Sequence, residues 1–294
     1  MKLGAIFPQT EIGNDVEQVK TFFRGVEELG FNHVLSYEHV LGVDPNYPGF
    51  DGIFDINDSF HEPLTLFSHA AGITRDLEFF TGVLVLPQRQ TPLVAKQVAE
   101  LDIVSNGRFH LGIGVGWNEH EYEAMGYDFS TRGIRIEEQI QVLRKLWEEK
   151  SVTFDGRWHT LEDVGLTMSP VSDSIPIWMG GMADAVIDRT VRMADGWLPQ
   201  FEIPGDNQTR DYMDRLEHYC EQYDREVNDI GLHPRIKLSR HEPDRLKKLV
   251  QGWNDLGATH LTFNTLYMNL QSAEEHLDKL ERTLSRIDRY DYIS

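Results

Sequence analysis

From Phe109 to Gly116 large apolar and small or polar positions alternate strictly. Phe109, Leu111, Ile113 and Val115 fall on one side, His110, Gly112, Gly114 and Gly116 on the other. Period two marks a β-strand, buried on the face of its large residues and bare on the opposite face. Asn106-Gly107 just before it is a turn signal, because both residues accept positive φ. Glycines grouped on one face let something bulky reach the backbone, either a ligand or another part of a crowded fold. Short apolar strands and amphipathic helices alternate along the rest of the chain. Leu3–Phe7, ended by Pro8, reads as the first strand. Asn14 or Asp15 caps a helix through Glu28, with Val16, Val19, Phe22, Phe23 and Val26 at helical spacing and Gly30 as the stop. His33–Ser36 is a second strand and Pro63–Ile73 a helix. Leu77–Leu86 is an apolar, β-branched run, hence a strand buried on both faces. Pro92–Val104 is the next helix, its proline suited to a first turn.

Beyond the glycine strand the pattern predicts helices over Asn118–Met125 and Ile134–Lys150, then a hairpin over Val152–Leu161 around Asp155-Gly156. Strand Pro176–Met179, helix Ala183–Met193, strand Gly196–Pro199 and helix Asn207–Glu226 follow. Strand Leu232–Ser239, helix Pro243–Leu256 stopped by Gly257, strand Thr259–Phe263 and helix Ala273–Arg286 complete the series. Eight strands alternating with helices, without a linker or composition break, predict an α/β chain folded as a (β/α)8 TIM barrel, a single domain over residues 1–294. An open doubly wound sheet is the other architecture this pattern permits. Leu41–Phe60 is a long Gly-, Pro- and Asp-rich loop carrying Tyr47, Phe50, Phe54 and Phe60. A loop of that length is functional or mobile, and its aromatics either close over a ligand or anchor it to the surface.

A chain of 294 residues, 40% of them hydrophobic, can bury a substantial core. Its net charge of -20 argues against nucleic acid as a partner, since phosphate-backbone binding needs clustered cations. A single cysteine, Cys220, leaves no internal disulfide and fits a reducing cytoplasm. Met1-Lys2-Leu3-Gly4 runs straight into the first strand, without the apolar segment of a signal peptide. No stretch approaches 18 apolar residues, so no membrane association is expected.

In a barrel the chemistry sits in the loops after the strands. A metal hydrolase would bring several histidines and carboxylates there, but the first strand ends in Phe7-Pro8-Gln9 and no His-Glu-x-x-His occurs. No metal site is expected. His61-Glu62-Pro63 has the wrong continuation for one, and neither Gly-x-Ser-x-Gly nor an active-site cysteine context is present. A dinucleotide loop would need a third glycine where Trp117 stands. The strand ends are instead rich in Gly, Trp and small polar groups, which suits a planar organic cofactor that performs the chemistry itself. Ile175-Pro-Ile-Trp-Met-Gly-Gly-Met-Ala183 supports this: a strand ending in Gly180-Gly181 and entering a helix presents free N–H groups at a positive dipole end. An ordinary strand-to-helix turn would use the same glycines.

Glu62-Pro63-Leu64, Thr81-Gly-Val-Leu-Val-Leu-Pro87, Ala95-Lys96-Gln97, Leu101-Asp102 and Ser105-Asn-Gly-Arg-Phe109 occur in that order. Gly112-x-Gly114-x-Gly116-Trp117 with Arg132-Gly133, Pro176-Ile-Trp-Met-Gly-Gly181 and Ala194-Asp195-Gly196-Trp197 follow. In order and spacing the chain resembles the bacterial luciferase-like oxidoreductases along nearly its whole length. The branch it most resembles uses coenzyme F420, a deazaflavin; Gly-Gly followed by Ala-Asp-Gly-Trp is closer to that branch than to the FMN-dependent luciferases. The resemblance implies a barrel with an insertion region over 152–174, a homodimer, and hydride transfer between the cofactor and a small organic substrate. It also implies a non-proline cis peptide at Gly82-Val83, on a bulge behind the cofactor ring, where the apolar run itself offers no packing reason for a glycine. His39 matches a histidine near the reactive face, and Gly180-Gly181 a phosphate-binding turn. The implied cofactor-binding positions are Glu38, Thr81, Gly82, Val83, Gly114, Asn118, Gly180, Gly181 and Met182. The implied catalytic positions are His39 and Trp117, the latter standing where sugar-phosphate dehydrogenases of this branch have an acid. Nearby Glu119 and Glu121 read as the exposed face of a short acidic helix. A polyglutamylated cofactor would require a local basic rim, for which Arg75, Arg89 and Lys96 are the candidates. An FMN-dependent monooxygenase and a non-catalytic flavin-binding protein are the alternative readings on the same barrel.

Overall fold

The computed structural model describes residues 1–287 apart from Asp173. Asp173, inside the expected insertion 152–174, and residues 288–294, at the end of the expected domain, lie outside the described residues. The elements in chain order are β1 Lys2–Ile6, α1 Gln9–Ile12, α2 Val16–Glu28, β2 His33–Ser36, α3 Pro63–Ala71, β3 Glu78–Thr81 and β4 Leu84–Val85. Then come α4 Thr91–Ser105, β5 Phe109–Gly114, α5 Glu119–Ala124, α6 Arg132–Glu148, β6 Val152–Asp155, β7 Thr160–Val164, β8 Ile177–Gly180, α7 Asp184–Met193 and β9 Gly196–Leu198. The series ends with α8 Asn207–Gln222, β10 Gly231–Leu232, β11 Arg235–Lys237, α9 Leu246–Asp255, β12 His260–Asn264 and α10 Ala273–Leu284. Capping fixes where several helices begin. Asp15 accepts the Glu17 amide, Glu62 the Thr65 amide with Pro63 in the first turn, and Asp206 the Thr209 amide.

The parallel ladder runs β10-β9-β8-β5-β3-β2-β1-β12-β11, with β4 also on β5. Its two ends are consecutive pieces of one stretch. β10 pairs with β9, β11 pairs with β12, and His233-Pro234 lies between them. His233 N–H still donates to the Trp197 carbonyl at 3.0 Å, while the Pro234 carbonyl accepts from Thr262 N–H at 3.1 Å on the other side. Proline has no N–H to give a ladder, so the seventh strand changes partner there and the curled sheet closes through the chain itself. The expected strand Leu232–Ser239 is therefore two short strands followed by a 3-10 turn at Leu238–Arg240. The expected helix Pro243–Leu256 likewise opens with a 3-10 turn, Pro243–Arg245, before α9. The expected hairpin is present as the antiparallel pair β6–β7.

Two apolar layers lie on either side of the barrel wall. Outside, between strands and helices, Phe7 packs on Phe22 and Phe23, and Phe23 on Phe67 and Phe79. Inside, Ile6, Leu35, Phe80, Trp178, Leu198 and Leu266 form a separate cluster against which Tyr37 and Val83 pack. The apolar face of β5 belongs to the outer layer and its glycine face to the lumen. What approaches those glycines is the third strand itself. A Cβ on Gly112 would overlap the Thr81 carbonyl oxygen, and one on Gly114 would press on Val83 at 2.6 Å. Gly116 has φ +66° and faces Val85 at 2.7 Å. The Thr81 hydroxyl donates to the Gly112 carbonyl at 2.7 Å across the same gap. The expected continuous strand Leu77–Leu86 is interrupted at Gly82–Val83, whose peptide is cis as the resemblance implied. Gly82 does have a packing reason: a side chain there would run into Leu35.

At the end of the lumen where the strands begin, four imidazoles fill the space around Phe80 and Trp178. His33 and His233 meet edge to face at 4.7 Å, His233 and His260 lie 5.1 Å apart, and His110 stacks on Phe80 at 4.1 Å. The Thr262 hydroxyl oxygen lies 2.8 Å from Nε2 of His33 and 2.5 Å from that of His233. Burial pushes the pKa of His110 down to about 3 and that of His260 to about 2, and holds His33 and His233 well below the ordinary value. All four rings are neutral in the folded protein near pH 7.

Because these histidines are less basic folded than unfolded, the unfolded chain takes up more protons as pH falls through the ordinary value of 6.5. Each then removes about 1.4 kcal/mol of stability per pH unit. Urea titrations at pH 7.5, 6.0 and 5.0 are expected to show stability falling by several kcal/mol, and His110→Gln should flatten the slope by about one proton; a level profile would contradict the buried neutral rings. Independently, Gly112→Ala is expected to cost about 3 kcal/mol or more, since its obstacle is a backbone oxygen that cannot step aside.

Candidate active site

The loops that follow the strands build the site around the bulge between β3 and β4. Glu38, just after β2, is buried beneath it and accepts the Val85 amide at 2.6 Å. The same carboxylate pairs with Arg89, which also reaches Glu62 at 3.1 Å. Burial pushes the Glu38 pKa up more than the Arg89 charge and the amide pull it down. Glu38 thus holds the bulge. Thr81 is committed to the Gly112 carbonyl, while Val83 stands in the lumen between Gly114 and Gly180.

His39 lies at the edge of this arrangement. Its ring is flanked by Phe60 at 4.9 Å and by Phe54 and Trp117 at 5.5 Å each. Nδ1 lies 3.3 Å from the Glu121 carboxylate, whose other oxygen accepts the Val40 and Leu41 amides at 2.5 and 3.1 Å. Glu121 is therefore not on an exposed face as the sequence suggested. It is 2% exposed, because α5 turns it inward to satisfy the start of the long loop, whereas Glu119 is exposed. Burial pushes the Glu121 pKa up, but hydrogen bonds from His39 and the two amides outweigh it and hold the carboxyl below its ordinary value. Asn118 is buried as the cap of α5, accepting the Glu121 amide, and Trp117 is 42% exposed. Among the loop aromatics Phe54 and Phe60 anchor on His39, and Tyr47 on His120 at 4.6 Å. A cavity of about 480 Å³ opens beside His39, bounded by Glu38, Phe60, Arg89, Leu93 and Tyr127. Of the implied cofactor-binding and catalytic positions, only Glu38 and His39 line it; the loop aromatic Phe60 and the rim candidate Arg89 do so as well.

Beside β5, β8 ends at Gly180. Gly181 has φ +128° and its carbonyl accepts the Trp197 indole N–H at 2.8 Å. Asp195 accepts the Ile177 amide at 2.7 Å and pairs with Arg144 at 2.6 Å. Gly-Gly and Ala-Asp-Gly-Trp are therefore one structural unit: the second motif holds the first. No side chain caps α7, whose Val186 amide donates to the Ala183 carbonyl at 2.8 Å, and Met182 stands just before it with its sulfur 3.1 Å from the Gln200 amide nitrogen.

The basic rim is not assembled. Arg75 precedes β3, at the far end of the barrel, and its backbone amide is bound by Glu27. Arg89 is taken by Glu38 and Glu62, and Lys96 lies 3.5 Å from Glu100. The cations of the lumen mouth are ones the sequence reading passed over, Arg235 and Lys237. Arg235 pairs in register with Thr262, and Lys237 with Asn264, so both face inward. Their alternation with buried Ile236 was the available signal. Asn264 donates to the Tyr37 hydroxyl at 3.3 Å, and Gln9 to the Tyr37 carbonyl at 2.9 Å. Among the described residues, no cluster of three or more His, Cys, Asp or Glu is placed to hold a metal ion, and no helix is long and apolar enough to cross a membrane.

The profile of the luciferase-like monooxygenases matches residues 2–290. The chain belongs to this family. An uncharacterised protein of Mycobacterium tuberculosis is 37% identical over 181 residues, covering 60% of this chain and 62% of that protein. Pyrimidine monooxygenase RutA of Variovorax paradoxus is 34% identical over 176 residues, covering 58% of this chain and 45% of RutA. The match thus spans less than two thirds of either curated relative. The coenzyme F420-dependent tetrahydromethanopterin reductase of Methanopyrus kandleri superposes with a TM-score of 0.77 over 98% of this chain and 99% of that one. At 14% identity that likeness is one of fold. Luciferase-like members are oxidoreductases, and the curled parallel sheet is the fold this chain shares with these neighbours.

Glu119 and Glu121, two residues apart, are expected to separate cleanly in thermal unfolding. Glu121→Gln should cost about 1–3 kcal/mol, since it removes a buried charged acceptor serving three donors. Glu119→Gln should stay within about 0.5 kcal/mol of the parent.

Proposed function

We propose that this luciferase-like oxidoreductase binds a deazaflavin, coenzyme F420, at the mouth of the barrel and exchanges hydride with a small organic substrate there. The observation that carries the reading is Val83, presented by the bulge between Gly114 and Gly180, with no Cβ on either glycine to crowd it. A planar ring needs such an apolar backing with bare backbone around it. Thr81, Gly82 and Val83 would lie behind the ring, Gly114 and Gly180 beside it, and Gly181 and Met182 with the uncapped start of α7 at its phosphate. Asn118 and Glu38 hold α5 and the bulge in place. The bound cofactor supplies the hydride chemistry.

His39 is the proposed proton-handling residue. With Glu121 accepting at Nδ1, the ring keeps its proton there and leaves Nε2 as a base. Trp117 and Phe60 shield the imidazole from water on two sides. Trp117 would thus take part by enclosing the reacting centre.

A second reading, an FMN-dependent monooxygenase, is favoured by the similarity to RutA and by the missing basic rim, which removes the cations a polyglutamyl tail would require. Titrating the purified protein with F420 and with FMN separates the two. Tight stoichiometric FMN binding with no F420 binding sinks the first reading, and cofactor binding without reduction by any donor would leave a carrier protein. His39→Ala is expected to lower the hydride-transfer rate 10²–10⁴-fold with cofactor affinity within a few-fold. Turnover at the parent rate would show His39 to be structural.

A further inference from the structure

The lumen mouth contains a charge that no carboxylate among the described residues answers. Arg235 points inward beside Thr262, whose hydroxyl lies between His33 and His233. Its guanidinium carbon lies 5.4 Å from the centre of the Tyr37 ring, and Tyr37 packs on the same inner cluster as Val83. The residue is partly buried, yet among the described residues no carboxylate comes within ion-pair distance of it and no side chain or carbonyl accepts its N–H groups. The chain has 48 acidic residues, so an unanswered arginine is not for want of partners. Lys237, one turn of the pleat further on, is matched by Glu202 at 3.0 Å, which also takes Arg240 at 3.1 Å. Stacking on Tyr37 attracts the positive charge and steadies the guanidinium, while the five N–H donors of its fork stay open to solvent or to a ligand.

We propose that Arg235 receives the anionic group of the substrate, a planar carboxylate carried on an apolar or aromatic body. The fork matches a carboxylate edge to edge, and Tyr37, stacked on the guanidinium and packed on the inner apolar cluster, offers an apolar wall for the body attached to it. This inference rests on reading the barrel mouth as the site of reaction, but not on which cofactor occupies it.

Benzoate and its uncharged counterpart benzamide are suitable probes, titrated by calorimetry into the purified protein. Benzoate is expected to bind the parent and to bind Arg235→Gln about 10- to 100-fold more weakly, with benzamide unchanged. Arg235→Lys, which keeps the charge and loses the fork, should fall between the two and gives the answer if Arg235→Gln fails to fold. Equal benzoate affinity in the parent and the folded variant, or no benzoate binding by the parent, overturns the proposal. F420 and FMN titrations form the second arm. A variant that keeps benzoate but loses cofactor would assign Arg235 to an anionic edge of the cofactor and overturn the assignment to substrate. Should neither cofactor bind the parent while benzoate binding still depends on Arg235, the proposed function fails and this inference stands.

Discussion

The close approach of the third strand to the glycine face of β5 is the constraint on which the rest of the site depends. Thr81 meets the backbone at Gly112, Val83 fits between Gly114 and Gly180, and Val85 lies over Gly116. None of these contacts survives a side chain at the glycine. The bulge that results is fixed from the outside by Glu38, which ties the Val85 amide to Arg89 and, through it, to Glu62 at the start of α3. It is fixed from the inside by Leu35 beneath Gly82. Because Gly180 packs directly on Val83, the turn into α7 is positioned by the bulge. Both walls of the proposed cofactor site are therefore set by one steric fit.

The lumen is electrically graded from one end to the other. Where the strands begin, buried imidazoles are kept neutral by desolvation. Where the strands end, Arg235 and Lys237 bring positive charge, of which, among the described residues, only that on Lys237 is paired with a carboxylate. A negative ligand entering the mouth meets a guanidinium at the rim and neutral imidazoles beneath, with the Glu78 carboxylate only at the far side of that layer, 3.8 Å from His110 and 3.9 Å from His260. In a chain of net charge -20 such a gradient is a local construction, invisible to the overall balance.

Strand and helix periodicity made the alternating architecture legible, because parallel strands and amphipathic helices write their burial directly into residue spacing. What escaped the pattern was decided by contacts distant in sequence. The glycines of β5 admitted two explanations until Thr81, Val83 and Val85 were seen to fill the space. Glu121 looked like a surface residue because its partners, Val40 and Leu41, lie some 80 positions earlier. Arg89 and Lys96 looked available as cations because the glutamates that engage them are set by tertiary packing or by a helical turn. Arg235 was hidden by the opposite effect: inside a predicted strand a charge draws less notice than in a loop. The His39 neighbourhood was partly legible, since the aromatic loop was noted, though not that Phe54 and Phe60 would close on the imidazole itself.

The partner exchange at His233-Pro234 has a consequence for how the molecule comes into being. Lys2 pairs with His260, so one edge of β1 stays unmatched until β12 has left the ribosome, on the order of tens of seconds later. Throughout that interval β1 and the growing opposite edge are open templates for strands of other chains. Closure then requires one short segment to satisfy β9 with its first residues and β12 with its last. Stalling or cleavage before residue 231 would leave both edges permanently exposed, and such truncated chains would be clients for chaperones or seeds of aggregates.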